Sequence, residues 1–140
     1  MKSSFDFVSL PLVTTIKGTL MVPKCSGLNW GQRPGREQNQ AYLSVPAYIQ
    51  RVNFFPGLGQ HFLMEFDDGE IFTCVRAQAN GKAIETPGNN SLLGVYFRRR
   101  LGVAPGYMIN INHLVNYGRT SIDVSHKDVN RFFVDFSPVL

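Results

Sequence analysis

Apolar and polar residues alternate along most of this chain, and turn-forming residues cut the alternation into strand-length pieces. Residues 3–15 read as a first strand, with Pro11 at an edge or bend because proline cannot donate to a sheet ladder. Residues 18–27 read as a second short extended piece. AYLSV (41–45) reads as a strand, after which Pro46 opens a short helix reaching about Asn53, since a helix's first turn needs no N–H from proline. Val45, Ile49 and Val52 share the buried face of that helix. HFLMEF, the Asp68-Gly69 pair and EIFTCV spell a hairpin. Its second strand changes character along its length: Phe72, Cys74, Arg76 and Gln78 fall on one face, apolar at the foot and hydrogen-bonding toward the far end. Asn80-Gly81 turns the chain again, and Lys82-Ala83-Ile84 begins the return.

Asn89, Asn90 and Ser91 mark a helix start before LLGVYFRRRLG. Leu92, Leu93, Tyr96, Phe97 and Leu101 form its apolar stripe, Arg98 and Arg99 point outward, and Gly102 with Pro105 beyond it ends the helix. YMININHLV, TSIDVSH and RFFVDF are three further alternating runs, read as strands. The sum is mainly β, about seven short strands and two short α-helices, closing into an open antiparallel barrel or half-barrel. At 140 residues and 44% apolar content the chain supports one core, so a single domain over 1–140 is expected. No stretch approaches the ~20 apolar residues of a membrane helix, and no charged start with an apolar run resembles a leader. A cytoplasmic location without membrane contact is the expectation.

Catalytic chemistry is thinly supplied. His61 and His113 lie in strand-like runs, as barrel-face residues, and His126 lies near a loop, in solvent. Asp67, Asp68 and Glu70 form the one acidic cluster, but at an Asp-Gly turn, where turn geometry alone favours aspartate. GLGQ at 57–60 has no helix after it to make a phosphate-cradling loop. Cys25 and Cys74 lack the clustered partners of a zinc site and are expected to be reduced and semi-buried. Neither catalytic residues nor a metal or cofactor is expected.

Charge distribution changes the picture. Residues 24–51 set Lys24, Arg33, Arg36 and Arg51 against Glu37 alone; residues 71–101 set Arg76, Lys82, Arg98, Arg99 and Arg100 against Glu85 alone. With a chain total of +4, the remainder is net negative. Positive charge gathered in sequence is what a phosphate backbone requires of its partner. Within these stretches, Gln32, Arg33, Arg36, Gln38 and Asn39 offer donors and acceptors suited to base edges and phosphates, as do Arg76, Gln78, Asn80 and Lys82 at a hairpin end. Trp30 either stacks on a sugar or packs beneath its loop. Asn89 and Asn90 either present backbone N–H groups to a phosphate or simply cap the helix. Arg98 and Arg99 are a solvated face or partners of the acidic turn.

GLNWGQRPGR, AYLSVPAYI, FFPGLGQHF, FDDGEIFTCVRAQANGKAI and NNSLLGVYFRRRLG, in that order, resemble one family, over about residues 20–125. It is the pseudobarrel DNA-recognition domain of NgoAVII-like restriction enzymes, with more distant relatives in EcoRII, BfiI and the plant B-three transcription factors. The resemblance implies a seven-stranded open pseudobarrel whose two projecting arms, here 28–40 and 76–86, grip double-stranded DNA in the major groove. It places base reading among Gln32, Arg33, Arg36 and Asn39 and among Arg76, Gln78, Asn80 and Lys82. It also implies a covalently linked or associated nuclease domain, whose H-x-K motif this chain lacks. Other readings are an RNA- or single-strand-binding barrel, which calls for exposed aromatics, and a protein-interaction module using the basic arms.

Overall fold

Nine strands, three α-helices and two 3-10 segments make up residues 7–139, the part of the chain described by the computed structural model. The strands are β1 (Phe7–Pro11), β2 (Thr14–Ile16), β3 (Thr19–Met21), β4 (Leu43–Ser44), β5 (Phe62–Phe66), β6 (Ile71–Ala77), β7 (Ala83–Glu85), β8 (Ser121–Asp128) and β9 (Arg131–Asp135). The helices are α1 (Ala47–Gln50), α2 (Leu92–Leu101) and α3 (Ile111–Tyr117). Residues 3–6 of the expected first strand lie outside the described residues, as do both extreme ends of the expected 1–140 domain.

Seven strands form one sheet in the order β1-β8-β9-β5-β6-β7-β4, curled until its outer strands β1 and β4 approach one another. The result is a nearly closed pseudobarrel. Period-two alternation builds its lining: Val8, Leu10, Phe62, Met64, Phe66, Cys74, Ile122, Val124, Phe132 and Val134 all point inward and are buried. Phenylalanine supplies much of the packing, with Phe54, Phe55, Phe62 and Phe132 ring against ring. Each fully buried ring contributes about 1.5–3 kcal/mol. Burial pushes the Cys74 thiol up to about 12, so this cysteine is an inert core residue, whereas Cys25 is exposed.

Four expectations need correcting. The sheet is not wholly antiparallel: β9 runs parallel to β5, Leu63 opposite Arg131 through Phe66 opposite Val134, because the chain passes through α2, α3 and β8 before returning beside β5. Residues 107–115, read as a strand, contain none; helix α3 occupies Ile111–Tyr117 instead. A reciprocal cap decides it: His113 N donates to Asn110 Oδ1 (3.2 Å) and Asn110 N donates to His113 Nδ1 (3.0 Å). His113 is thus a capping residue and His61 is exposed just ahead of β5, so neither is a barrel-face histidine; His126 is not in open solvent but lies against Phe54 and Phe132. Finally, Leu92 is exposed and Arg98 is fully buried, the reverse of the expected helix faces. The barrel takes Leu93, Tyr96 and Phe97, while a second packed side of α2, carrying Gly94 and Arg98, faces residues 37–40 and 103–109.

The acidic turn is structural. Arg100 binds Asp67 (2.9 Å) and Asp68 (3.6 Å) and donates to Tyr117 Oη (2.6 Å) and Phe136 O (3.0 Å), while exposed Arg99 reaches Asp68 at 3.5 Å. Among the described residues no group of three or more His, Cys, Asp or Glu is placed to hold a metal ion, and no helix is long and apolar enough to cross a membrane.

Candidate nucleic-acid interface

The first polar stretch leaves β3, turns through a 3-10 segment at Gly27–Gln32, and loops through residue 40 before entering β4. Its loop is closed by Gly31 N donating to Gln40 O (2.8 Å). One buried side chain of the stretch bonds it to the body, and a buried arginine of α2 lies under it. Asn29, fully buried, donates to Pro23 O (2.8 Å) and Ile109 O (2.7 Å) and accepts from Ile109 N (2.8 Å). Arg98 donates to Tyr107 O (2.8 Å) and Gly94 O (3.1 Å) from beneath. Desolvation lowers the Arg98 pKa, with the Glu37 charge opposing that shift. Burial would raise the Glu37 pKa, but hydrogen bonds from Asn39 and Ser91 and the Arg98 charge hold the carboxyl below its usual range. This clamp was not legible in the chain, because a helical arginine in a run of three reads as solvated.

The clamp divides the expected site residues. Gln32 Nε2 donates to Gln38 O (3.0 Å) and Gly106 O (3.2 Å), and Asn39 accepts from Gly106 N (2.6 Å) and donates to Glu37 (2.9 Å), so both side chains hold the loop's shape. Trp30 is buried edge-on to Tyr42, with the Arg36 guanidinium stacked 3.9 Å over its ring. Arg36 also donates to Gln40 (2.6 Å), and Arg33 to Cys25 O (2.7 Å); both remain exposed, as does Gln38. Asn89 caps its own turn by accepting from Ser91 N (3.0 Å), and Asn90 O accepts from Ala41 N (3.0 Å).

The second stretch is the β6–β7 connection. Gln78 and Asn80 both adopt positive φ, 65° and 59°, tightening the turn around Gly81. Arg76 folds into it, donating to Gly81 O (3.3 Å), Asn80 O (3.3 Å) and Pro56 O (3.4 Å), while Gln78 donates to Glu85 (2.9 Å). Asn80 and Lys82 are exposed.

Pairing of β4 with β7, extended by Val45 N donating to Lys82 O (2.8 Å), brings the two stretches side by side. A cleft opens there, lined by Gly27, Leu28, Tyr42, Ser44 and Lys82, and its other wall is the β2–β3 hairpin through Thr14 and Ile16. That hairpin was missed in the sequence. It pairs only with itself, its Lys17-Gly18 turn has φ of 50° and 79°, and its tip residues are exposed. The signal was present: Lys17-Gly18 between two short threonine-bearing runs has the glycine-containing two-residue form of a tight hairpin loop.

One pattern separates this side from the rest. Among the described residues, Arg99, Arg100, Arg119, Lys127 and Arg131 all make ion pairs. Arg98, fully buried in α2, makes none; the others that make none, Lys17, Lys24, Arg33, Arg36, Arg51, Arg76 and Lys82, all belong to residues 17–51 or 76–82. The model of the NgoFVII C-terminal B3-like DNA-binding domain matches residues 5–128. The chain belongs to that family. This B3-like domain is therefore a DNA-binding domain of restriction-enzyme type, and DNA is its partner. No curated protein matches the chain.

Proposed function

We propose that this B3-like domain reads a specific sequence of double-stranded DNA from the major groove, as the target-recognition part of a restriction endonuclease whose nuclease domain lies outside this chain. The carrying observation is the charge partition: apart from the fully buried Arg98, the described cations left without carboxylate partners are those of the arms, the hairpin and the helix beside them. Cations already paired with acids gain little from a phosphate; unpaired ones release counterions from DNA in full. The projecting β2–β3 hairpin and the β6–β7 turn are two-stranded ribbons, a width that the major groove admits. Arg33, Arg36, Gln38, Asn80 and Lys82 are the exposed candidates for base and phosphate contact, with Lys17 added at the hairpin tip. Gln32, Asn39 and Arg76 act by setting the shapes of the arms.

The test is selection of preferred duplexes from a random pool at fixed salt, followed by titration of the selected duplex, a scrambled duplex and the single strands. Specific recognition predicts a preference of 10³ or more for the selected duplex over scrambled sequence. Equal affinity for all three would leave only a nonspecific basic surface.

A further inference from the structure

Beside the second arm lies a hollow that no sequence motif marks. Its lining is Ala47, Gln50 and Arg51 of the α1 region, Leu58 of the following loop, and Arg76 and Asn80 of the β6–β7 turn. Two guanidiniums line it, and no carboxylate does. Its walls are bonded to one another: Arg76 Nη1 donates to Pro56 O (3.4 Å), and Gly59 N donates to Arg76 O (3.3 Å). The hollow is therefore a built feature and not an accident of loose loops.

The two cations are prepared differently. Arg76 is half-buried and fixed by three carbonyl oxygens, one on each of its nitrogens. A guanidinium has five N–H donors, so two remain for a ligand. Its acceptors are neutral, so its charge stays uncompensated. Desolvation lowers the pKa of Arg76, the mark of a cation held without a counter-charge. Arg51 sits at the α1 C-terminus, exposed, its side chain without a hydrogen bond or ion pair among the described residues. An anion with several acceptor oxygens, small enough to sit between two guanidiniums and two amides, completes this arrangement.

We infer that this hollow is a phosphodiester subsite that extends the DNA footprint beyond the second arm, with Arg51 closing on a backbone phosphate that Arg76 already faces. The inference rests on the DNA reading above. It gives Arg51 a role in affinity and none in sequence choice.

Arg51→Gln and Arg51→Lys separate the possibilities, because Arg51 is exposed and both variants are expected to keep the wild-type thermal unfolding midpoint. Binding of the selected and scrambled duplexes is titrated across a fourfold rise in chloride. For Arg51→Gln the slope of log affinity against log salt is expected to be shallower by about 0.9, so that the salt-induced loss shrinks about threefold, equally for both duplexes. Arg51→Lys is expected to keep the wild-type slope. An unchanged slope in Arg51→Gln, with wild-type protein binding duplex normally, overturns the subsite and leaves the DNA reading intact. So does a loss confined to the selected duplex, which would make Arg51 a reader of bases. If inorganic phosphate at constant ionic strength saturates the site without DNA and the slope does not move, the hollow serves free phosphate and the inference fails. Wild-type protein that binds no duplex at all removes the DNA reading and the subsite together.

Discussion

At the residue scale, the arms are held by side chains that look, in sequence, like side chains for binding. Arg76 is the sharpest case. Its three carbonyl partners make it the internal brace of the β6–β7 turn, and Gly81 leaves the space it occupies: a Cβ there would stand 2.6 Å from Arg76 Nη2, at φ +67°. Gly81→Ala therefore pushes the guanidinium out and strains the backbone, at a cost of about 1–3 kcal/mol. Arg76→Ala is expected to imitate it. Both variants should weaken the selected and scrambled duplexes together, because the turn that presents Asn80 and Lys82 is lost. Arg33, exposed and hydrogen-bonded only through Nε, should behave differently. Arg33→Ala is expected to cost about 1–3 kcal/mol against the selected duplex while leaving scrambled DNA nearly unchanged. Loss of discrimination in Arg76→Ala, with its turn intact by amide chemical shifts, would reverse these two assignments.

At the element scale, the close approach of the first arm to α2 sets what can be altered. A Cβ on Gly94 would fall 1.6 Å from Asn39 O, inside any possible contact distance. Gly94→Ala must lift the loop from the helix, uncovering Arg98, so a loss of at least 2–3 kcal/mol in unfolding free energy, about the scale of overpacking, is expected together with loss of duplex binding. Shortening the β2–β3 hairpin between Thr15 and Leu20 should do the opposite: it pairs only with itself, so the unfolding midpoint should hold while affinity falls. These elements also show what the chain declares and what it hides. The β5–β6 hairpin, the short helix after Pro46 and the stop at Gly102 were legible because period-two alternation, a proline in the first turn and a left-handed glycine act locally. Helix α3 was not, because Tyr107, Ile109, Ile111 and Val115 fit a period-two strand pattern until the Asn110–His113 cap is counted. The parallel β5–β9 pairing and the burial of Arg98 depend on elements distant in sequence, and no local spacing encodes them.

Across the whole molecule, acids and bases are sorted. The barrel's far carboxylates are held in pairs, with Asp68, Glu65 and Asp135 all below their ordinary pKa. For Asp68, burial alone would raise the pKa, and the hydrogen bond from Tyr96 with the charges of Arg100 and Arg99 outweighs it. For Glu65 and Asp135 the largest influence is a hydrogen bond, from Lys127 and Ser137 respectively. A carboxyl whose folded pKa is depressed binds fewer protons folded than unfolded, so it adds stability above its unfolded pKa and loses it as pH falls through the folded value. Unfolding free energy should therefore be level from pH 7 to about 5, then fall as pH drops below about 4. Asp68→Asn removes one such proton difference while breaking the Arg99 and Arg100 pairs. It should lower stability at pH 7, yet flatten the acid limb by up to about 1.4 kcal/mol per pH unit. Urea titrations at successive pH values measure both quantities. A limb of unchanged steepness in Asp68→Asn would mean that Asp68 carries no linked proton, and that the Arg100 contacts to Asp67, Tyr117 and Phe136 and the ring packing of Tyr96 and Phe97 hold α2 to the barrel without it.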